Sequence, residues 1–366
     1  MNRTTGNRTK GEHELERYAA LWEEARAIRG TSLGRDAWRR LRRQRAAMAS
    51  LVALCVVTVL ALITPLLPLQ PPRRVDSDRI FMPPTFSRPA ALDLDKLDAD
   101  FGRKDLDLVS RALLDARLAL FGGWSLPSIC GTDELGRDLF SRLFWGARVS
   151  LAVGVVATLV SLVIGVSYGA TAGYLGGRID NFMMRLVDIL YSVPFICVVI
   201  LLVSILSEDS IRTWLESWHI DRITIFYLVV GAIYWLTMSR VVRGQIISLK
   251  NEQFVEAART IGASQRRIIF FHLVPNVLSV VIVYLTLTIP SVMLFEAFLS
   301  FLGLGVQAPD VSWGLLVNQG FNVITPIKIY WWLVVFPGLA LALTLYALNF
   351  LGDGLRDALD PRLKNR

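Results

Sequence analysis

Long apolar runs constrain this chain more than any other feature. A helix needs about 20 mostly apolar residues to cross the hydrocarbon core of a membrane. Six segments meet or approach that length: Ala46–Leu69, Val149–Tyr174, Ile189–Leu206, Ile223–Ser239, Leu273–Phe295 and Ile329–Leu351. The composition agrees, since 53% of the 366 residues are hydrophobic and only 19% are charged. The sequence therefore predicts an all-α integral membrane protein with six transmembrane helices.

The same composition argues against several other classes of protein. A net charge of +8 would suit a nucleic-acid binder in a soluble chain, but in a membrane protein it reflects orientation in the bilayer. The three cysteines do not form a disulfide framework, and the three histidines lie far apart without a metal-ligand spacing. We therefore expect neither a nucleic-acid partner nor a metal site.

Basic residues near the connections predict the orientation of the spans. Five arginines directly precede the first span, six basic residues lie in the connection 240–272, four follow the last span, and the connection 301–327 has none. Because Lys and Arg are enriched in cytoplasmic loops, both termini and the connection 240–272 are predicted to be cytoplasmic. Residues 70–148 and 301–327 are then external.

These boundaries divide the chain into five parts. Residues 1–45 form a cytoplasmic arm, whose DAWRRLRRQR stretch is typical of a helix lying on an anionic membrane surface. A solvated basic linker is the alternative for this arm. The remaining parts are the first transmembrane helix (46–69), an external segment with a predicted amphipathic helix at Asp105–Leu120 (70–148), a core of five transmembrane helices (149–351) and a cytoplasmic tail (352–366).

A polar stretch, NEQFVEAARTIGASQRRIIFFHLVPN, interrupts the apolar core at residues 251–276. Four small or apolar residues share one face of its first predicted helix: Phe254, Ala257, Ala258 and Ile261. Gly262 occupies a position where a helix ends in a left-handed residue, and Ser264 is predicted to cap the next helix. The pattern predicts two short cytoplasmic helices at a sharp angle, suited to the cleft of a partner. A connector that folds back on its own bundle is the alternative.

This stretch also resembles a known signature. Glu256-Ala257-Ala258, then Gly262 after three residues and Pro275 thirteen residues later, resemble the EAA motif of ABC importer permeases. Three longer strings resemble the dipeptide/oligopeptide branch of that family: GTDELGRDLFSRLFWGARVSL (131–151), SRVVRGQIISLKNEQFVEAARTIGAS (239–264) and FEAFLSFLGLGVQAPDVSWGLL (295–316). The resemblance covers roughly residues 35–360, with a weaker fit at 75–128.

The resemblance implies a type I ABC importer permease of the bacterial inner membrane. Such a subunit pairs with a second homologous permease, two ABC ATPase subunits and an external solute-binding protein, and it imports dipeptides or oligopeptides. The residues that would meet the ATPase are those of the motif: Glu256, Ala257, Ala258, Arg259, Gly262, Ala263 and Ser264. In this family the glutamate typically meets a basic residue of the ATPase.

The chain itself is predicted to be non-catalytic and to bind no cofactor. It contains no GxxxxGK[ST] phosphate loop, so ATP and Mg²⁺ are expected on the partner ATPase subunits. Peptide selection in such systems belongs mostly to the binding protein, and no substrate site is assigned here.

Charged residues at the spans form a second group of candidates. Glu296 ends the charge-free run of the fifth span, and an intramembrane carboxylate is by default a functional hypothesis. The favoured alternative is an interfacial residue paired within the fold. Asp180, Arg185 and Asp188 flank the third span and are interpreted as structural ion pairs; Arg243 is a further structural or pathway candidate.

Other functions remain open at this point. Within the permease reading, a nickel chelate or a glycoside could replace peptides as cargo. A secondary transporter or channel would predict inverted repeats or several ionisable residues deep in the spans, and the sequence shows neither. A membrane scaffold with an interaction loop is the third alternative, and ligand-stimulated ATP hydrolysis by co-purifying subunits would separate it from a transporter.

Overall fold

The computed structural model describes residues 33–87, 92–93, 96–206, 208–217 and 222–359. Most of the predicted N-terminal arm and the end of the tail lie outside these residues. Within them the chain is helical and forms no β-strand. The helices are α1 (Leu33–Arg43), α2 (Arg45–Leu62), α3 (Leu97–Asp100), α4 (Leu108–Phe121), α5 (Leu139–Leu175), α6 (Gly177–Ser192), α7 (Phe195–Leu206), α8 (Asp209–Ser217), α9 (Arg222–Leu249), α10 (Gln253–Thr260), α11 (Gln265–Arg267), α12 (Val274–Phe301), α13 (Trp313–Asn322) and α14 (Trp332–Leu359). The predicted all-α class is confirmed.

Five of the described helical stretches are long and apolar enough to cross a membrane: Arg45–Leu62, Leu139–Leu175, Thr224–Leu249, Gln265–Phe301 and Trp332–Leu359. A sixth span exists if α6 and α7 are counted as one broken helix, bent by 85°. The sequence predicts a span over Ile189–Leu206 with a kink at Pro194; the break occurs at this proline, and the broken span begins earlier, with α6. Pro194 disfavours helical geometry at the residue before it, and Val193 is extended, with φ −79° and ψ 128°.

The second span begins ten residues before the predicted Val149. Asp138 caps α5 by accepting a hydrogen bond from the backbone N–H of Ser141 at 2.7 Å. At 37 residues this helix is about 55 Å long, so it projects beyond a hydrocarbon core of about 30 Å. Its first turns lie inside the external segment rather than after it.

Close packing of α5 against α9 forms the centre of the bundle. Gly165, Gly169 and Gly173 recur every four residues on α5 and allow the two backbones to approach. A Cβ placed at Gly169 would lie 2.2 Å from the backbone oxygen of Ser239 on α9. Only glycine fits this crossing without moving a helix.

Contacts at the ends of the helices separate two sides of the molecule. On one side, Ala37 and Leu41 of α1 form a buried cluster with Ala358 near the end of α14. On the other side, the segment between α2 and α5 packs against the turn before α14, where Phe81 stacks on Tyr330 with ring centroids 4.0 Å apart. We call the second side the outer side below. The predicted amphipathic helix at Asp105–Leu120 is found there as α4.

Candidate functional site

The polar stretch between α9 and α12, residues 250–273, is called the inner loop below. Its helix α10 ends in a Schellman motif, in which Gly262 is left-handed with φ +80°. The N–H of Gly262 donates to the carbonyl of Arg259 at 2.9 Å, and the N–H of Ala263 donates to the carbonyl of Ala258 at 3.0 Å. The sequence-based expectation of a left-handed residue at Gly262 agrees with this geometry.

The second half of the inner loop differs from the prediction. No separate short helix follows Gly262, because the helical stretch Gln265–Phe301 is continuous. It passes from α11 through a π-helical turn at Ile268–Leu273 into α12. Ser264 occupies the N-cap position, but its side chain makes no capping hydrogen bond. Pro275 lies in the first turn of α12, directly after the π-helical turn.

The inner face of the loop is anchored to the bundle. Val255 and Ala258 of α10 belong to one buried cluster with Val242 and Ile246 of α9. Further members come from α5 and from the π-helical turn of the loop: Val166, Ala170, Ile268, Ile269 and Leu273. The buried face of α10 therefore differs from the predicted one, which comprised Phe254, Ala257, Ala258 and Ile261. Ala258 is buried as predicted, but Ile261 is 83% exposed. The position of the bundle, rather than local hydrophobicity, sets which side of α10 is buried.

The outer face of α10 presents an unpaired carboxylate. At about 100° per residue, Glu256, Ala257 and Thr260 point away from the buried Val255 and Ala258, and all three are exposed. Among the described residues, the Glu256 carboxylate has no ion-pair partner; the hydrogen bonds of this residue are made by its backbone, including one of 2.9 Å that its carbonyl accepts from the hydroxyl of Thr260. The loop therefore offers an acidic group on a small-residue surface to whatever approaches from this side.

Arg259 turns in a different direction from Glu256. Its guanidinium lies 5.3 Å from the ring centroid of Tyr174, at the end of α5, and also donates to the Tyr174 hydroxyl at 3.4 Å. A further bond of 3.4 Å reaches the carbonyl of Lys250. Although it belongs to the predicted contact set, Arg259 braces the loop against its own bundle.

The other predicted site residues lie apart from the inner loop. Arg243 of α9 forms a two-bond ion pair with Asp180 of α6, at 2.5 and 2.7 Å. Asp188 instead pairs with Arg240 at 2.8 Å. These pairs join α9 to α6 of the broken span.

Glu296 is fully buried on α12. One carboxylate oxygen accepts a hydrogen bond from the hydroxyl of Ser300 at 2.7 Å. The other oxygen has no hydrogen-bond partner among the described residues. The carboxylate is thus paired within the fold through one oxygen.

Sequence reasoning missed a charged cluster on the outer side. Asp133 accepts backbone N–H bonds from Leu135 and Arg137, each at 2.9 Å, and pairs with the guanidinium groups of Arg137 and Arg142. Next to it, burial raises the pKa of Asp138 to about 6, although the Ser141 N–H opposes the shift. The alternating charges in GTDELGRDLFSR could have indicated this cluster. Their ion pairs hold the segment against the start of α5.

The family described as "Binding-protein-dependent transport system inner membrane component" matches residues 165–365, and "N-terminal TM domain of oligopeptide transport permease C" matches residues 32–84. The dipeptide transport system permease protein DppC of Bacillus subtilis is 47% identical over 234 residues, covering 64% of this chain and 68% of that protein. The oligopeptide transport system permease protein OppC of Haemophilus influenzae is 47% identical over 232 residues, covering 63% and 70%. A solved structure of the MetNI methionine ABC transporter aligns with a TM-score of 0.46 at 22% identity, covering 61% of this chain and 98% of that one.

Proposed function

The chain belongs to the family of inner-membrane components of binding-protein-dependent transport systems, and on this premise we propose that it forms one half of the pathway of an ATP-driven peptide importer. The membership confirms the resemblance that the EAA motif carried. The proposed cargo is dipeptides or oligopeptides, because relatives at 47% identity are named for dipeptide and oligopeptide transport. The proposed partners are a second homologous permease, two ABC ATPases and an external solute-binding protein.

One observation carries the coupling role of the inner loop: an unpaired, outward-facing Glu256 stands on a loop whose opposite face is buried. Val255 is 0% exposed and Ala258 is 4% exposed, so α10 cannot move without its neighbours on α5 and α9. The loop is also continuous with α12 through an unbroken helical stretch. A force applied to the Glu256 surface would therefore move helices rather than deform a connector.

The proposed mechanism is alternating access driven by the ATPases. The two ATPases would hold the inner loops of the two permeases, and their closure on binding ATP would bring the loops together. Rigid-body motion of the helices would then open the pathway to the binding protein, and hydrolysis would reverse it. This chain would contribute the docking surface and the moving helices, and the ATPases would contribute ATP and Mg²⁺.

The transport proposal is tested by reconstituting the chain with the second permease, the ATPases and the binding protein. Peptide should stimulate ATP hydrolysis and be taken up, and both activities should be abolished by vanadate. This chain alone in lipid should hydrolyse no ATP. Uptake of a nickel chelate or a glycoside without peptide uptake would replace the cargo but keep the coupling role. ATPase activity that ignores every ligand would reject the importer function.

The proposed orientation places the inner loop and both chain ends in the cytoplasm. Two contacts support it. The N-terminal helix α1 packs on the end of α14. Near that end, Arg356 and Leu359 line a groove with Ser279 of α12, which lies shortly after the inner loop, so both chain ends and the loop are on the same side. Single cysteines at Ser87, Gln307 and Ser264 test it in a cysteine-free background. An impermeant reagent should label positions 87 and 307 in intact cells and position 264 only after lysis. The reverse pattern would refute the orientation.

A further inference from the structure

Helix α4 on the outer side has an apolar face that no described residue covers. Along one side of the helix run exposed residues without charge: Leu108, Val109, Ala112, Ala116, Ala119 and Leu120. These six residues are called the open face of α4. Val109 is 68% exposed and Leu120 is 70% exposed. Water is a poor environment for a continuous apolar strip of this length.

The opposite face of α4 is fixed to the rest of the protein. Ser110, Leu114 and Arg117 are buried there, with Arg117 and Leu114 at most 1% exposed. Asp107 caps the helix by accepting the N–H of Ser110 at 3.1 Å. The helix therefore cannot rotate its open face inward without breaking this packing.

Two anchors set the depth of α4 relative to the membrane. Near its start, the hydroxyl of Ser110 accepts a 2.5 Å hydrogen bond from Arg148, the last residue before the apolar run of α5. Two turns later, Arg117 donates to the carbonyls of Leu67 at 3.2 Å and Leu69 at 3.0 Å, just beyond the outer end of α2. The helix thus reaches from the outer end of one span to the outer end of another.

The end of α2 lies beside α5 close to the residue that anchors α4. The hydroxyl of Thr64, immediately after α2, lies 3.5 Å from the carbonyl oxygen of Phe144, one turn before Arg148 on α5. The two anchors of α4 are therefore close to the same part of the bundle, where the apolar runs of α2 and α5 end.

Charge and aromatic residues are arranged around α4 as at a lipid–water boundary. Asp115 on one flank pairs with Arg103 at 2.7 Å, and Arg111 donates to the carbonyl of Lys104 at 2.9 Å. Beyond the end of the helix, Trp124 is 52% exposed and its ring lies 6.2 Å from that of Phe121. Tryptophan is enriched at membrane interfaces, and interfacial helices carry a charged flank beside an apolar face.

We propose that α4 is an interfacial helix whose open face lies in the lipid at the outer ends of α2 and α5. Lipid is the occupant that fits, because the anchors place the face at the level where the apolar surface of the spans ends. The helix would hold the outer segment at a fixed height above the pathway. The proposal uses the proposed orientation only to name the leaflet as the external one.

Spin labels on the full chain in nanodiscs of phosphatidylcholine and phosphatidylglycerol test this proposal. Cys55, Cys130 and Cys197 are first replaced, and single labels are then placed by Ala112→Cys or Ala116→Cys. Lys104→Cys, on the exposed turn before the helix, is the control. Accessibility to oxygen, which enriches in lipid, is compared with accessibility to a polar nickel complex.

The labels at 112 and 116 should be several-fold more accessible to oxygen than to the nickel complex, whereas the control should show the reverse. Equal nickel accessibility at all three positions would place the open face in water and overturn the proposal. Low accessibility to both reagents at 112 and 116 would also overturn it, because the face would then be covered by protein. Both alanines are exposed and lie one helical turn apart, so each position checks the other for local distortion by the label.

Discussion

Substitutions at Gly262 test whether the inner loop works through its backbone geometry. Gly262 has φ +80°, and a Cβ placed there would meet no atom within 4 Å. The cost of a side chain is therefore conformational rather than steric, about 1–2 kcal/mol for an ordinary L-residue in the left-handed region. Asparagine tolerates this region best, and a β-branched valine tolerates it least.

The alternative to accepting this strain is to abandon the Schellman motif. That would break the bonds of 2.9 and 3.0 Å donated by Gly262 and Ala263. At about 0.5–1.5 kcal/mol for each bond, their loss costs about 1–3 kcal/mol, which is comparable with the strain. Alanine should therefore leave two loop geometries in competition, since 1–2 kcal/mol changes a population ratio by about 5- to 30-fold. Valine should favour the altered geometry.

The assay is peptide-stimulated ATP hydrolysis and uptake by the reconstituted transporter. Gly262→Asn should behave nearly as the wild type, Gly262→Ala should lose part of its coupling, and Gly262→Val should insert in the membrane but remain uncoupled. Excess ATPase should not rescue the valine variant, because its loop points in the wrong direction. An asparagine variant as defective as the valine variant would refute the backbone argument. A fully coupled valine variant would show that the loop geometry does not matter.

Three other substitutions address the docking charge, the helix crossing and the outer cluster. Glu256→Gln should weaken ATPase docking by about 10- to 150-fold if it removes one desolvated charge-assisted bond, and excess ATPase should restore transport; unchanged docking in a titration would contradict this. Gly169→Ala should destabilise the α5–α9 crossing by about 1–3 kcal/mol, whereas Gly338→Ala, which has open space around its Cβ, should not; thermal unfolding in detergent compares them. Burial raises the pKa of Asp138 to about 6, so the native protein keeps the carboxyl proton to higher pH than the unfolded chain does. The free energy of unfolding should therefore fall as the pH rises from about 4 to about 6. Asp138→Asn, which keeps an acceptor for the Ser141 N–H, should lose that slope in melting temperatures measured across this range; an unchanged slope would assign it to another group.

Local sequence signals predicted the features that depend on neighbouring residues. Apolar length revealed the spans, and the glycine after a short helical pattern revealed the left-handed turn at Gly262. The features that were missed depend on distant partners. The start of α5 at Leu139 was hidden because Arg142 and Arg148 lower the local hydropathy, yet Arg142 is buried beside Asp133 and Arg148 is bound by Ser110. Hydropathy alone cannot identify such partners.

The same limit explains the inner loop and the broken span. The face of α10 that is buried depends on where α5 and α9 lie, so Ile261 satisfied the helical pattern but remains exposed. Pro194 indicated a kink, but a bend of 85° requires two helix segments that pack in different directions. The sequence pattern therefore predicts where the helix breaks but not the angle between its two parts.

Two long helices give the inner loop a mechanical connection to the outer side. The helical stretches Leu139–Leu175 and Gln265–Phe301 contain 37 residues each, about 55 Å, and both exceed the hydrocarbon thickness of about 30 Å. The first contacts the inner loop through Tyr174 and the outer cluster through Arg142, and the second continues directly from the inner loop. The first stretch packs closely against α9 at Gly169 and against the second stretch at Gly154, where a Cβ would lie 2.2 Å from the Ser239 oxygen and 2.8 Å from the Met293 side chain. We therefore expect a displacement imposed at Glu256 to reach the outer ends of the helices, where α4 and the Asp133 cluster are attached.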